Sequence, residues 1–332
     1  MANIVLGLGT SHTPMLLASD ATLERFVETD RNIKHRDKDG RPVTYGELLE
    51  KADPKMAHLV APANLVARQN VARGAIDRVA QTLANGNIDA LIVLGDDQNE
   101  SYKEDCRPAF AIYYGDTIRN SNEQHEEYRK RFPEWYVQNR QGFFEDEGPR
   151  DYPVHATLAT HLIESLMDLG FDIGASKCLP AGEGEGHAIA YVHRRVMDAN
   201  KPVPAVPIFL NTYFPPNQPR PKRCYEFGQA VRKAVESFPG DERIGVLASG
   251  GLSHFLVDEE LDRAILKACA DKDAAFLQAI PRNKLNAGSS EILNWVAVAG
   301  CVEHLELDWF EYVPGYRTPA GTGTGLSFAT WS

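Results

Sequence analysis

The chain has 332 residues, 43% of them hydrophobic and 24% charged, values of a globular protein long enough for one large core or two medium ones. A formal net charge of −11 argues against a nucleic-acid partner, which needs a basic footprint, although local basic patches stay open. Cys106, Cys178, Cys224, Cys269 and Cys301 are scattered, odd in number and free of any C-x-x-C pair, so neither a disulfide frame nor a zinc knuckle is suggested and a reducing cytoplasm fits best.

The N-terminal MANIVLGLGT has no basic region ahead of a long apolar core, and no apolar run is long enough to span a bilayer, so no membrane partner is expected. Its apolar part, IVLGLG at 4–9, predicts a strand, and GTSHTPM sets His12 just beyond it. A polar stretch from about 17 to 69 follows, carrying NIKHRDKDGRP at 32–42; it reads as an inserted cap with helical pieces, since loops this long usually carry function or cover a site. Helical periodicity over 70–86 leads into LIVLGDDQNE at 91–100, a strand buried on both faces that ends in Gly95 and a group of carboxylates and amides. These polar residues either only turn the chain or mark a site at the strand's end.

Further strands are expected at 110–114, 205–214 and 244–249, and helices over 156–170, 223–238 and 259 to about 280. The alternation predicts an α/β fold: a single domain over 1–332, with a central mixed or parallel sheet flanked by helices, plus the inserted cap. GLGTSH, GEGEGH and the C-terminal GTGTG fail as nucleotide loops. The first ends in His where a small residue is needed, the second lacks Lys-Ser/Thr and adds carboxylates, and no helix follows the third.

Three histidines hold comparable places: His12 closes the first strand, His187 opens a helix in GEGHAIAYV, and His254 follows a strand in ASGGLSHF. Each alone reads more readily as structural; three beside glycines that allow close approach are harder to dismiss. Glu291, in SSEILNWVAVAG, either complements its helix's positive end or points inward with Trp295 and Val298. Two histidines and a carboxylate facing one cavity make the facial triad of non-haem iron(II), and a further histidine can serve as acid and base.

Together GTSHTPM, LIVLGDDQ, GHAIAYV, PIFLNTYFPPNQPRPKRCYEFGQAVRKAVESFP, ASGGLSHF and SSEILNWVAVAG resemble the class III (LigB-type) extradiol ring-cleavage dioxygenases, the superfamily of the protocatechuate 4,5-dioxygenase beta subunit. The resemblance implies an Fe(II) cofactor held by His12 and Glu291, His254 as the catalytic proton carrier, and His187 lining the substrate and oxygen pocket. It implies O2 and a catecholic, carboxylated or methoxylated lignin-derived aromatic as substrates, and a homodimer.

Two departures stand out. Where the family has its second histidine ligand this chain has Gln98, a poorer donor for iron(II) than imidazole. Either Gln98 coordinates weakly, or His58 of the cap, otherwise a surface histidine on a cap helix, is the preferred replacement, with Asp97 then orienting a ligand and Gln98 touching metal or substrate. The cap is longer than in two-subunit relatives and would close the site itself. Its Lys34, Arg36, Lys38 and Arg41 form either a solvated face or an attractor for a substrate carboxylate, and Arg317 is a further carboxylate-binding candidate. The rival readings are a non-redox metal-binding or interaction protein of the same fold, and a serine hydrolase using Ser249 or Ser253 with His254, which lacks a G-x-S-x-G elbow.

Overall fold

Short aliphatic runs bounded by turns become the strands of the computed structural model, which describes residues 1–121, 130 and 132–332. In chain order they are β1 (Asn3–Thr10), β2 (His35–Arg36), β3 (Pro42–Val43), β4 (Ala90–Asp96), β5 (Phe110–Tyr113), β6 (Thr117–Asn120) and β7 (Arg150–Pro153). There follow β8 (Gly174–Ser176), β9 (Ala205–Leu210), β10 (Arg243–Ser249), β11 (His254–Leu256), β12 (Leu307–Tyr316) and β13 (Thr322–Trp331). Among the described residues, nine strands make one mixed sheet in the order β11-β13-β1-β10-β4-β9-β5-β8, with β12 paired to β13. The expected α/β class with a mixed sheet and flanking helices is what the chain adopts.

The four central strands, β1, β10, β4 and β9, run parallel, so Thr10, Ser249, Asp96 and Leu210 finish at one edge. Both faces of this layer are covered. Ile92 and Leu94 of β4 pack with Phe227 and Val296 from the helices Pro221–Glu236 and Ile292–Cys301, whereas Leu91 and Val93 pack with Ile76 and Tyr191 from the other side. Such burial on both faces is why β4 reads as a continuous apolar run.

The cap is a set of short pieces: a 3-10 turn Asp20–Arg25, helices Phe26–Asp30, Tyr45–Lys51 and Met56–Leu59, and the β2–β3 ribbon. Thr44 and Glu47 form a capping box that starts the second of these helices. The expected boundary at 69 falls inside a 24-residue helix, Pro62–Asn85, which starts earlier than its periodicity suggested because Pro62 occupies the first turn.

Other boundaries also moved. The helix expected from 259 to about 280 is broken at Lys272, whose φ is +55°, and Asp273 caps a second helix by accepting from Phe276 N at 2.9 Å. The strand expected to reach 214 stops at Leu210, since the Asn211 side chain bonds both Phe214 N and Phe214 O and bends the chain. The hairpin β12–β13 has no counterpart among the expected elements, and GTGTG lies within it and its turn. No described helix is long and apolar enough to cross a membrane.

Candidate metal centre

At the carboxyl edge of the parallel strands, His12, Asp96, His187 and Glu291 converge, all buried. His12 Nε2 lies 3.6 Å from Glu291 Oε2 and 3.8 Å from Asp96 Oδ1, and the rings of His12 and His187 sit edge to face at 4.6 Å. Ligand atoms of His12, Asp96 and His187 all fall within 4.8 Å of one another.

The tautomer of His12 follows from its surroundings. Ser249 Oγ donates its one proton to the Ala188 carbonyl at 2.7 Å, so it accepts from His12 Nδ1–H at 2.9 Å. A bare lone pair on His12 Nε2 then faces the cluster, and neither it nor Asp96 Oδ1 has a hydrogen-bond partner among the described residues. Burial pushes the His12 pKa down to about 3, keeping the ring neutral, and pushes Asp96 up to about 7, with Glu291 adding repulsion. A neutral imidazole lone pair and a buried orphan carboxylate oxygen, beside a second carboxylate, fit a divalent transition-metal ion.

Glu291 is already well held. It accepts from Gly251 N at 2.8 Å and Tyr213 Oη at 2.8 Å, and His254 Nε2 lies 3.2 Å from its Oε1. Burial alone would raise its pKa, but the adjacent His254 and His12 outweigh that and carry it to about 2. Trp295, one turn on, donates to Gly250 O and packs against Gly9, where any side chain would overlap its ring. This fixes the inward direction of the helix that carries the carboxylate.

His254 is anchored from several sides. Its Nδ1–H donates to Leu252 O at 2.9 Å, so its Nε2 is the atom turned to Glu291 and the cluster, while Ser289 Oγ accepts from His254 N and donates to His254 O. Gly288 lies against the ring, leaving no room for a Cβ. Burial lowers its pKa, yet the Glu291 charge and hydrogen bond outweigh this and raise it overall. His187 is oriented by Glu100, which takes both its Nδ1–H at 2.7 Å and its backbone N–H and is itself bonded to Arg140.

Of the residues singled out from sequence, His12, His187, His254, Glu291 and Gln98 come together. Gln98 Nε2 stands 3.2 Å from Asp96 Oδ2, 3.4 Å from Glu291 Oε1 and 3.5 Å from His187 Nε2, so the amide turns its donor end inward. Asp97 faces away, accepting from the backbone N–H of Glu100, Ser101 and Tyr102, which shapes the loop that carries Gln98 and Glu100.

His58 does not reach the cluster. In its one-turn helix Met56 is buried, and a residue two places on points nearly the opposite way, so His58 is exposed. Arg317 is not free for a substrate either: its Nε and Nη2 donate to Asp30 at 2.8 and 2.7 Å, both side chains buried, and Thr322 bonds the same carboxylate. Neither serine forms a Ser–His254 pair, since Ser249 Oγ serves His12 and Ala188, and Ser253 Oγ donates to Asp262. Sequence reasoning missed Asp96, Glu100 and Tyr213 as cluster members; the first two stand in the quoted GDDQNE.

Residues 54–304 match the family described as the catalytic LigB subunit of aromatic ring-opening dioxygenase. The chain is 37% identical over 114 residues to gallate dioxygenase of Pseudomonas putida, a match covering 33% of each chain. It is 34% identical over 101 residues to a 2,3-dihydroxyphenylpropionate/2,3-dihydroxicinnamic acid 1,2-dioxygenase of Comamonas testosteroni, covering 30% of each. The chain thus spans about a third of the length of the curated relatives it matches. With the family match covering most of its length, and His12 and Glu291 meeting at the strand ends, this chain belongs to the LigB family.

Proposed function

We propose that the chain is an iron(II)-dependent extradiol dioxygenase that opens a catecholic, carboxylated or methoxylated aromatic ring of lignin-derived type. The observation that carries this reading is the pair of buried ligand atoms, His12 Nε2 and Asp96 Oδ1, unpartnered among the described residues and beside Glu291, whose Oε1 lies 3.2 Å from His254 Nε2. Relatives named for gallate and for 2,3-dihydroxyphenylpropionate support an aromatic acid as substrate. Five free cysteines suit the cytoplasm, and a homodimer is the expected assembly.

His12, Asp96 and Glu291 would hold the metal, with His187 adjoining. When bound, it supplies Lewis acidity and a template that brings the ring oxygens and O2 together. The chain's own part is positional and protonic. His254 Nε2 takes a proton from a ring hydroxyl and can return it later, its ring held by Leu252 O and Gly288. His187, fixed by Glu100, and Tyr213, donating to Glu291, wall the reacting volume with polar atoms already in place.

The test is oxygen uptake by protein reconstituted anaerobically with iron(II), against catechol, protocatechuate, gallate, 3-O-methylgallate and catecholic biaryl acids. Uptake with a new product absorbing in the near-visible is expected, and His254→Phe should keep the metal while losing turnover. A second reading, a non-redox metal-binding or interaction protein, is favoured by one observation: an amide stands at position 98, where the resemblance places an imidazole. Stoichiometric bound iron with no uptake on any ring would select it.

A further inference from the structure

A small cleft open to solvent lies where the cap meets the segment leading to Glu291, and His254 is shared by the cleft and the buried cluster. Four cations line it, Lys34, Arg36, Lys38 and Lys284, against two carboxylates, Asp37 and Asp258. The carboxylates are committed. Asp37 accepts from the backbone N–H of Asp39 and Arg41 at 2.9 Å each, and Asp258 stands 3.2 Å from Lys38 Nζ and 3.9 Å from Lys284 Nζ. Arg36 spends one nitrogen on Gly40 O, and Lys34 makes no hydrogen bond or ion pair among the described residues. In a chain of net charge −11, this leaves a local surplus of positive charge beside the proton-carrying histidine.

The backbone explains how the surplus is aimed. Successive residues of an extended segment point to opposite sides, so His35 goes inward, its Nε2 2.6 Å from Asp30 O, while Lys34 and Arg36 share the other side. Asp30 is the carboxylate locked by Arg317 and Thr322, and β2 packs against β11, the strand that carries His254. The two cations therefore ride on a segment fastened to the frame of the candidate centre rather than on a loose loop.

We infer that this cleft is a subsite for the carboxylate of the aromatic substrate, read by the planar guanidinium of Arg36 and the point charge of Lys34 while the ring hydroxyls face His254. The inference rests on the dioxygenase reading for the ring, and on the cleft alone for the charge.

The experiment measures equilibrium binding by calorimetry, anaerobically and without turnover, of 3,4-dihydroxybenzoate and of catechol to the iron(II)-loaded protein. Wild type should prefer the carboxylated ring. The double variant Lys34→Ala/Arg36→Ala, both exposed positions, should lower the ratio of the two affinities about tenfold. Arg41→Ala, on the same ribbon but outside the cleft, should leave the ratio where it is. An unchanged ratio in the double variant, or no preference for the carboxylated ring in wild type, overturns the subsite. Absence of oxygen consumption would count against the dioxygenase reading alone, because the ratio is read without turnover.

Discussion

Replacing Ser249 with alanine removes one oxygen from a fully buried position, and its consequences can be followed bond by bond. The Ala188 carbonyl loses its donor and His12 Nδ1–H loses its acceptor. Each buried group left unpaired costs about 1–3 kcal/mol, so the metal-free protein should lose roughly 2–6 kcal/mol of unfolding stability. The second effect falls on the imidazole. Without the hydroxyl nothing holds the proton on Nδ1, and loss of such an outer partner typically weakens metal affinity 10–100-fold, or about 1.4–2.7 kcal/mol. Thermal melts of the metal-free variant measure the first term, and competition against a chelator of known affinity measures the second. A variant that melts early yet binds metal as tightly as wild type would refute the assignment of His12 Nε2 as the ligand atom.

Asp96→Asn should cut metal affinity by at least tenfold while Asp97→Asn changes it little, since only Asp96 turns an unpartnered oxygen to the cluster; metal titrations of the two variants compare them directly. Arg317→Ala strands the buried Asp30 carboxylate and should cost about 3–5 kcal/mol in chemical denaturation, a loss far larger than removal of a substrate contact would give. Asp262, which accepts from Ser253 and Tyr312, has its pKa raised by burial to about 6. Because the folded carboxyl keeps its proton to higher pH than the unfolded one, its stabilising contribution is full below about pH 4 and is lost as pH rises through 6, on the order of 3 kcal/mol in all. The melting temperature of wild type relative to Asp262→Asn should therefore fall between pH 4 and 6.5; parallel curves would contradict the assigned direction.

The histidines were legible because each stands where an apolar run ends or a helix begins, and their glycine neighbours signal close approach. The choice between Asp96 and Asp97 was not legible. A strand buried on both faces lacks the polar–apolar alternation that tells which way a terminal residue points, and here alternation would have had to separate two adjacent carboxylates. His58 is the reverse case: its residue type suits a ligand place, but its helical phase, two residues from the buried Met56, turns it to solvent. Arg317 finds its partner 287 residues away, a pairing no local pattern carries. The C-terminal hairpin escaped because its second strand, TGTGLSFATW, is rich in glycine and buried throughout, so it shows neither alternation nor a dense aliphatic run.

Two carboxylates stand in the cluster where the resemblance calls for one, and this bears on the cationic cleft. With His12 neutral, a divalent ion held by Asp96 and Glu291 would have its charge balanced by the two carboxylates, whereas a neutral imidazole in place of one of them would leave a surplus. Gln98 eases the crowding by turning its amide donors to both acids, but it adds no charge. An aromatic acid therefore gains less attraction from such a centre, and the cations lining the cleft beside His254 are a source of compensation. Salt separates the two contributions. Lys34 and Arg36 are exposed and screened within about 10 Å at 0.1 M ionic strength, while Asp96 and Glu291 are buried and are not. Raising the salt from about 20 to 500 mM should therefore weaken binding of 3,4-dihydroxybenzoate more steeply than that of catechol, and the difference in slope should shrink in Lys34→Ala/Arg36→Ala. Equal slopes in wild type would mean that the cap charges do not act on the bound acid.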